Sequence, residues 1–256
     1  MKRMIEMSKI VVITGSSGGI GKALVKTYTK DNYFVLGLDK NPSSKQTETF
    51  KELELNLNNF AKDEKYRKNF FNISKNFITK KLKKFILINN AAEQLLGSIA
   101  ELSWEEWEKS FAVNTVSPFF LAQGFVKQLS QTNGHIINLS SIHTKLTKPK
   151  FTCYASSKSA LESLTRSLSL ELSPKGISVN AISPAAINTQ MLKKSFKNNP
   201  EKIKILKKYH PSNSIGSPSD LANFIKLITD SKKGFLTGSV IEYSGGIASK
   251  LSDPDN

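Results

Sequence analysis

Short apolar runs recur along the chain at intervals that suit a sheet protein. The clearest runs are KIVVITG, YFVLGLD, KFILINN, HIINLSS, GISVNAIS and GSVIEYSGG, and a weaker run, FKELELN, lies between the second and the third. A short, β-branched and nearly continuous apolar run is typical of a strand that is buried on both of its faces. The pattern therefore predicts about seven strands.

Helical periodicity occupies the intervals between these runs. In YASSKSALESLTRSLSLEL the apolar positions form one stripe, which consists of Leu161, Leu164, Leu168 and Leu172. A second helical segment, residues 103–131, begins at Ser103, a favourable N-cap with Glu106 at the capping-box position. Pro118 lies inside this segment and predicts a bend or an interruption of the helix.

The alternation of strands and helices predicts an α/β fold, with a doubly wound parallel sheet and helices on both faces. No linker, low-complexity tract or solenoid repeat divides the sequence, so we expect residues 1–256 to form one domain. The longest segment without a clear pattern is about 185–215, which is rich in lysine and contains Pro200 and Pro211. It follows the C-terminal end of a strand, where open α/β sheets bind ligands, and we expect a substrate-binding lid there.

The charge of the chain changes this picture only slightly. The formal net charge is +16, but the arginines are limited to Arg3, Arg67 and Arg166, and the lysines are spread along the chain. Readout of base edges depends largely on bidentate arginine, so we expect no specific binding of nucleic acid. A compositional bias explains the lysines most simply, and the alternatives are an anionic substrate or weak binding of polyanions, which would depend steeply on salt.

The chain also lacks the sequence signs of a membrane or secreted protein. No stretch approaches the roughly 20 apolar residues of a membrane span, and the N-terminal MKRMIEMSK lacks the apolar core of a signal peptide. Cys153 is the single cysteine, so the chain forms no internal disulfide, which fits a reducing compartment. We expect a soluble cytoplasmic protein without a membrane partner.

The segment TGSSGGIG follows the first predicted strand and opens a helix. Glycines allow a tight turn and a close approach of the backbone to a pyrophosphate, and the start of a helix favours an anion. A plain turn is the alternative, but the strand–turn–helix context favours a dinucleotide site. The predicted cofactor contacts in this loop are Gly15, Ser17, Gly19, Ile20 and Gly21.

Asp39 ends the second predicted strand and bears on the choice of cofactor. An acid at this position accepts hydrogen bonds from the adenosine ribose hydroxyls and repels a 2′-phosphate. The loop residue before Gly19 is Gly18 rather than a basic residue, whereas Lys40 beside Asp39 is counter-evidence because it offers a cation to the phosphate. We therefore expect NAD in preference to NADP; the alternative is that Asp39 only begins a turn.

Four further residues complete a recognisable pattern, namely Asn114, Ser141, Tyr154 and Lys158. Tyr154 and Lys158 are four residues apart, so a helix places them on one face. Together with TGSSGGIG, NNAA, INLSS, YASSK, VNAISPAAINT and GSVIEYSGG, in that order, they make the chain resemble the short-chain dehydrogenase/reductase family. The resemblance covers about residues 8–250 and implies the compact, single-domain, Rossmann-like type.

The resemblance assigns a role to each of the four residues. Tyr154 is implied to be the general acid/base, and Lys158 to lower the pKa of its phenol, ordinarily about 10, and to bind the nicotinamide ribose. Ser141 is implied to hydrogen-bond the reacting oxygen of the substrate, while Ser140 faces away from it. Asn114 is implied to help hold a water molecule that relays protons through Lys158.

The resemblance also implies further contacts and raises questions about the substrate. The remaining cofactor contacts that it implies are Asn56, Leu57, Asn90, Ala91, Pro184, Ile187 and Thr189. His143 follows Ser141 closely and is a candidate substrate contact, since a neutral imidazole donates or accepts hydrogen bonds. Lys145, Lys148 and Lys150 either form a solvated loop or attract an anionic substrate. No metal ligand set is expected.

The expected function is transfer of a hydride between NAD(H) and a carbonyl or secondary alcohol, and the lysines favour a polar or anionic metabolite, such as a sugar derivative, as the substrate. One alternative is an NADPH-dependent carbonyl reductase of the same fold, and another is a non-catalytic dinucleotide sensor. The resemblance implies a homo-oligomer, a dimer or tetramer that pairs through helices at about 103–131 and 152–173. Phe119, Phe120 and Phe125 would serve that contact or the core.

Overall fold

The computed structural model describes residues 8–43, 46–78, 81–231 and 234–251. All seven predicted strands are confirmed, and their bounds are Lys9–Thr14 (β1), Phe34–Asp39 (β2), Phe50–Glu54 (β3), Lys84–Asn89 (β4), His135–Leu139 (β5), Ser178–Pro184 (β6) and Val240–Tyr243 (β7). They form one sheet in the order β3-β2-β1-β4-β5-β6-β7, and every neighbouring pair is parallel. The order reverses between β1 and β4, so the predicted Rossmann-like α/β fold is confirmed.

Helices cover both faces of the sheet. The described residues contain Gly19–Lys30 (α1), Leu57–Lys62 (α2), Glu64–Ser74 (α3), Trp104–Phe111 (α4), Ser117–Gln131 (α5), Thr152–Leu172 (α6), Gln190–Ser195 (α7), Pro200–Tyr209 (α8) and Pro218–Asp230 (α9). Alternate residues of β1 point to opposite faces. Ile10 and Val12 pack with α5 and α6, whereas Val11 and Ile13 pack with α1 and α9. Among the described residues, no helix is both long and apolar enough to cross a bilayer.

The long helix predicted over residues 103–131 is interrupted as its proline indicates. Ser103 and Glu106 form the predicted capping box at the start of α4. Residues 112–116 then form one π-helical turn, and α5 begins directly after it, with Pro118 in its first turn. Such π turns are frequent at functional sites, because they change the direction in which a side chain points.

The segment at about 185–215 is more regular than its sequence suggested. It holds α7 and α8, and the side chains of Thr189 and Asn199 accept hydrogen bonds from the first backbone amides of these helices. Pro200 occupies the first turn of α8, where a missing N–H costs nothing. The expectation of an irregular segment was wrong, since its polar and proline residues serve as helix starts.

The three phenylalanines of α5 divide between the core and the surface. Phe125 is fully buried and contacts the rings of Phe70 and Phe71 edge to face. Phe120 is partly buried beneath the guanidinium of Arg67, 3.9 Å from its ring centroid, and Phe119 is exposed. Only part of this set therefore belongs to the core.

Candidate active site

A large cavity opens at the C-terminal edge of the sheet, just beyond the ends of the neighbouring strands β1 and β4. Its volume is about 1470 Å³, and it extends from the glycine-rich loop to α7 and α8. Ser141, His143, Tyr154 and Lys158 line it, as do most of the predicted cofactor contacts, namely Gly15, Ser17, Gly19, Ile20, Asp39, Asn56, Leu57, Asn90, Ala91, Pro184, Ile187 and Thr189. Two predicted site residues, Gly21 and Asn114, lie outside the lining.

The glycines of the loop are required by its geometry. Gly15 has a φ of +66°, which few other residues adopt. A Cβ atom on Gly21 would lie 2.0 Å from the carbonyl oxygen of Gly15, and one on Gly19 would lie 2.9 Å from the methyl group of Thr189. Gly21 therefore shapes the loop from behind rather than facing a ligand. The compact loop at the start of α1 fits a dinucleotide pyrophosphate.

Thr14 and Asn90 join the ends of β1 and β4. Asn90 donates from Nδ2 to the carbonyl oxygens of Thr14 (2.9 Å) and Gly15 (3.0 Å). In the other direction, the Thr14 hydroxyl accepts hydrogen bonds from the amides of Asn90 and Ala91, both at 3.0 Å. These bonds fix the floor of the cavity at the point where the strand order reverses.

Asp39 lies at the edge of the cavity with both carboxylate oxygens engaged. Oδ2 accepts a hydrogen bond from the Ser17 amide (3.1 Å), and Oδ1 accepts one from the Asn41 amide (3.0 Å). Lys40, which the sequence analysis considered as a partner for the 2′-phosphate of NADP, forms an ion pair with Glu93 at 2.9 Å. The acid therefore holds the glycine-rich loop, while the neighbouring cation is directed to another carboxylate.

A second acid behind the loop, Glu52 on β3, was missed from the sequence. Glu52 is 4% exposed, and its carboxylate accepts hydrogen bonds from the hydroxyls of Ser16 and Ser17 and from the amide of Ser43. Gly37, its register partner on β2, leaves room for the Ser16 side chain, because a Cβ there would lie 2.6 Å from the Ser16 hydroxyl oxygen. The available signal was a glutamate at the centre of a predicted buried strand.

Tyr154 and Lys158 lie one turn apart at the start of α6 and are both buried, at 8% and 1% exposure. The ammonium of Lys158 donates a hydrogen bond to the carbonyl oxygen of Leu139, at the end of β5, over 2.6 Å. It also lies 5.9 Å from the centroid of the Tyr154 ring. The strand end thus anchors the lysine beside the phenol.

Burial dominates the protonation of this pair. It raises the pKa of Tyr154, and a hydrogen bond with Ser141 opposes that shift. Burial also lowers the pKa of Lys158 to about 7, because the charged form loses its hydration. The expected lowering of the Tyr154 pKa by Lys158 is not what this arrangement gives: the phenol stays protonated near neutral pH.

The two serines at the end of β5 have the different surroundings expected of them. Ser140 donates a hydrogen bond to Glu162 at 2.7 Å. Ser141 accepts one from the His143 amide at 3.3 Å and hydrogen-bonds the phenol of Tyr154. Both serines line the cavity, and Ser141 is the one whose hydroxyl acts on the Tyr154 phenol.

Asn114 lies in the π-helical turn and binds the backbone of Glu93. Its Oδ1 accepts a hydrogen bond from the Glu93 amide, and its Nδ2 donates to the Glu93 carbonyl, both at 2.9 Å. Nδ2 also donates to the hydroxyl of Ser157 on α6, again at 2.9 Å. Asn114 thus positions the segment after β4 against α6, and its expected role beside a relay water stays a prediction.

His143 forms part of an aromatic wall next to Tyr154. Its ring stacks on Phe151 with centroids 4.1 Å apart and lies 6.1 Å from the Tyr154 ring. Burial, with a smaller effect of the Lys148 charge, lowers the pKa of His143 to about 4, so the imidazole is neutral at physiological pH. Its Nδ1 has no hydrogen-bond partner in the described part of the chain.

The three lysines after His143 differ in their surroundings. Lys145 forms an ion pair with Glu242, and Lys150 is exposed and lies outside the cavity lining. Lys148 lines the cavity, with its Nζ 4.7 Å from the centroid of Phe151. Across the described ranges, His, Cys, Asp and Glu residues form no group of three or more that could hold a metal ion.

Comparison with known proteins identifies the family. The model of the family described as short chain dehydrogenase matches residues 9–200, so the chain belongs to the short-chain dehydrogenase/reductase family. It is 30% identical over 247 residues to an NAD-dependent glycerol dehydrogenase of Listeria innocua, covering 94% of each chain. The protein is therefore an oxidoreductase of the type that acts on CH–OH groups.

Two solved structures resemble the chain over nearly its whole length. One is 4-hydroxyisoleucine dehydrogenase complexed with NADH, with a TM-score of 0.84 and 28% identity. The other is ElxO with NADP bound, with a TM-score of 0.82 and 27% identity. Each comparison covers 95% of this chain and 100% of the other. Proteins of this shape thus bind either nicotinamide cofactor.

Proposed function

We propose that this dehydrogenase transfers a hydride between NAD(H) and a carbonyl or secondary alcohol carbon, with Tyr154 as general acid/base. The observation that carries the proposal is the buried pair of Tyr154 and Lys158 in the same cavity as the glycine-rich loop and Asp39. The glycine-rich loop would hold the pyrophosphate of a bound dinucleotide, and Lys158 would hold its nicotinamide ribose beside Tyr154. When bound, the nicotinamide cofactor supplies or accepts the hydride.

The protein's own residues handle the proton. Tyr154 donates its phenolic proton to the substrate oxygen during reduction and takes it back during oxidation. Its raised pKa keeps the phenol protonated, which is the form that reduction requires. Ser141, hydrogen-bonded to this phenol, orients the substrate oxygen, and Lys158 binds the cofactor ribose while it supports the phenolate that forms transiently.

NAD is the proposed cofactor because the negative charge near the adenosine ribose comes from two acids. Asp39 binds the amide of Ser17, and Glu52 binds the hydroxyl of the same residue at 3.0 Å. A 2′-phosphate placed beside Ser17 would be repelled by both carboxylates. Lys40 is paired with Glu93 and so is not directed toward that phosphate. An NADPH-dependent reductase is the alternative, and release of Lys40 from Glu93 would favour it.

The proposed mechanism is tested with Tyr154→Phe, which keeps the ring and removes the proton. We expect turnover to fall by about 10²–10⁴-fold, the usual contribution of a general acid/base. NADH affinity, measured by calorimetric titration, should stay within about twofold of the wild type. Wild-type-like turnover by the variant would contradict the mechanism. A wild-type protein that binds NADH but turns over no carbonyl or alcohol would favour the sensor alternative.

Several wider features belong to the same proposal. The residues that the structure describes form one domain, and the segment at about 185–215 closes over the bound substrate as a lid. The protein acts in the cytoplasm as a homo-oligomer, a dimer or tetramer that uses α4, α5 and α6. Exposed Trp104 and Phe119 on these helices support that surface. Light scattering of the purified protein tests it, and a monomer at all concentrations would contradict it.

A further inference from the structure

The part of the cavity beyond Tyr154, here called the substrate half, has an aromatic wall. His143 and Phe151 stack against each other, and the Phe151 ring lies 6.3 Å from that of Tyr154. The imidazole is neutral, so the charge at this wall comes from Lys148, whose ammonium lies 4.7 Å from the Phe151 centroid. Leu96 and Leu146 also line the cavity, and each is nearly half exposed there, at 45%.

The lid helices present apolar side chains to the same space. Leu192 and Phe196, four residues apart at α7, line the cavity together with Leu206 of α8. The lysines of these helices lie outside the lining and are exposed, namely Lys193, Lys194, Lys202, Lys204, Lys207 and Lys208. The lid is therefore amphipathic, with an apolar stripe toward the cavity and a charged outer face.

This arrangement weakens the reason for expecting an anionic substrate. That expectation relied on three lysines near the pocket. Lys145 is paired with Glu242 and Lys150 lies outside the lining, so Lys148, over the Phe151 ring, is the one of the three that lines the cavity. Lys109 and Lys40, which do line the cavity, both contact the carboxylate of Glu93, at 3.6 Å and 2.9 Å. The positive charge of the chain is thus mostly solvated or paired.

We propose that the substrate is a ketone or secondary alcohol with an apolar carbon skeleton, such as an alkyl or aryl chain beside the reacting carbon. This inference rests on the proposed function. In the reducing direction the carbonyl carbon gains a hydride from NADH and its oxygen gains the proton of Tyr154, which gives the alcohol and NAD⁺. The apolar skeleton packs between the His143–Phe151 wall and the lid stripe of Leu192, Phe196 and Leu206.

The first test uses the wild-type enzyme with NADH and a series of 2-alkanones from butanone to nonanone. We expect kcat/KM to rise about fourfold for each added methylene until the half-cavity is filled, from the transfer free energy of a buried CH₂. Dihydroxyacetone and aldoses, together with glycerol in the oxidising direction, form the polar panel. Turnover of the polar panel with no dependence on alkanone length would overturn this inference and leave the proposed function standing.

The second test places a hydroxyl in the lid stripe with Leu206→Ser. Its matched control is Ile205→Ser, because Ile205 lies on the same helix, is 53% exposed and does not line the cavity. We expect Leu206→Ser to reduce the dependence of kcat/KM on alkanone chain length, and Ile205→Ser to keep it. Equal NADH affinity of the two variants checks that both are folded. Equal chain-length slopes in the two variants would overturn the inference.

A binding measurement separates this inference from the chemistry. The Tyr154→Phe protein with bound NADH should bind 2-nonanone at least about tenfold more tightly than 2-pentanone, seen as a change in NADH fluorescence. This preference with no turnover by the wild type would support the apolar site and contradict the proposed reaction. Equal affinities would overturn the apolar site whatever the turnover.

Discussion

The cofactor half of the cavity and its substrate half are built by different means. The cofactor half consists of the loop TGSSGGIG with Asp39 and Asn90, and it is held by backbone geometry and by short polar contacts, including those of Glu52 behind the loop. The substrate half has apolar side chains on α7, α8 and the His143 segment. The first arrangement tolerates few residue types at each position, whereas the second needs only an apolar stripe. The residues of the cofactor half therefore form recognisable sequence motifs, whereas the residues proposed to bind the substrate do not.

Lys158 joins the two halves, and its replacement by methionine should produce the largest effect. Lys158→Met removes the cation beside Tyr154, so turnover should fall by about 10²–10⁴-fold. The same change should raise the melting temperature by a few degrees near pH 7, because it removes a buried ammonium of lowered pKa. Steady-state kinetics and thermal unfolding test the two effects.

The stabilising effect of Lys158→Met has a defined dependence on pH. The pKa of Lys158 is about 7 in the folded protein and 10.5 ordinarily, so unfolding takes up a proton between these values. This group thus makes the wild type more stable as the pH rises from 7 toward 10.5. The melting-temperature advantage of the variant should be largest at pH 7 and below, and vanish near pH 10. An advantage that grows with pH would contradict burial of the ammonium.

Gly21→Ala should impair cofactor binding without changing the substrate half. The new Cβ would lie 2.0 Å from the Gly15 carbonyl oxygen, so the loop must move. We expect NADH affinity to fall by about 100-fold, since the loop loses its close approach to the pyrophosphate. The control is Gly97→Ala, whose new Cβ would lie 3.2 Å from the flexible Leu102 side chain and no closer than 3.8 Å to the Leu102 backbone nitrogen. Calorimetric titration measures both, and equal affinities would contradict the steric account.

Replacing either of the two acids that bind Ser17 should have a smaller effect, which is a shift in the relative affinity for NADPH and NADH. Asp39→Asn should raise the affinity for NADPH relative to NADH by about tenfold, and Glu52→Gln by about threefold, because each removes one repelling charge. Glu48→Gln is the control, since Glu48 is exposed on the loop before β3. A Glu52→Gln protein that loses both affinities equally would show that Glu52 only holds the loop.

The sequence predicted the sheet and brought most of the predicted cofactor contacts to one cavity, for a physical reason. Strands buried on both faces give long apolar runs, and tight turns permit only glycine, so both features can be recognised in the amino-acid sequence. Glu52 was missed because its partners, Ser16 and Ser17, come from a distant part of the chain and meet it only through sheet register. The glutamate inside a predicted strand was a sign of a buried acid, but a single sequence does not show which residues that acid contacts.

The lining of the substrate half was harder to predict, because its apolar residues form a helical stripe inside a lysine-rich segment. Leu192, Phe196 and Leu206 are scattered among charges, and only the helix geometry shows that they share one side. Asn114 was placed correctly in sequence, but the π-helical turn directs its side chain to the Glu93 backbone. Side-chain direction at a local irregularity is not encoded in motif spacing.

Hydride transfer to a carbonyl carbon under the control of Tyr154 is the central claim. The most direct measurement incubates the wild type and Tyr154→Phe with NADH deuterated at the reactive C4 position and a mixture of alkanones, aldehydes and keto sugars. NMR then locates the label. We predict deuterium on the carbinol carbon of an alkanone product with the wild type, and about 10²–10⁴-fold less with the variant. Label that stays on the nicotinamide for every compound, in a protein that binds NADH, would contradict the claim.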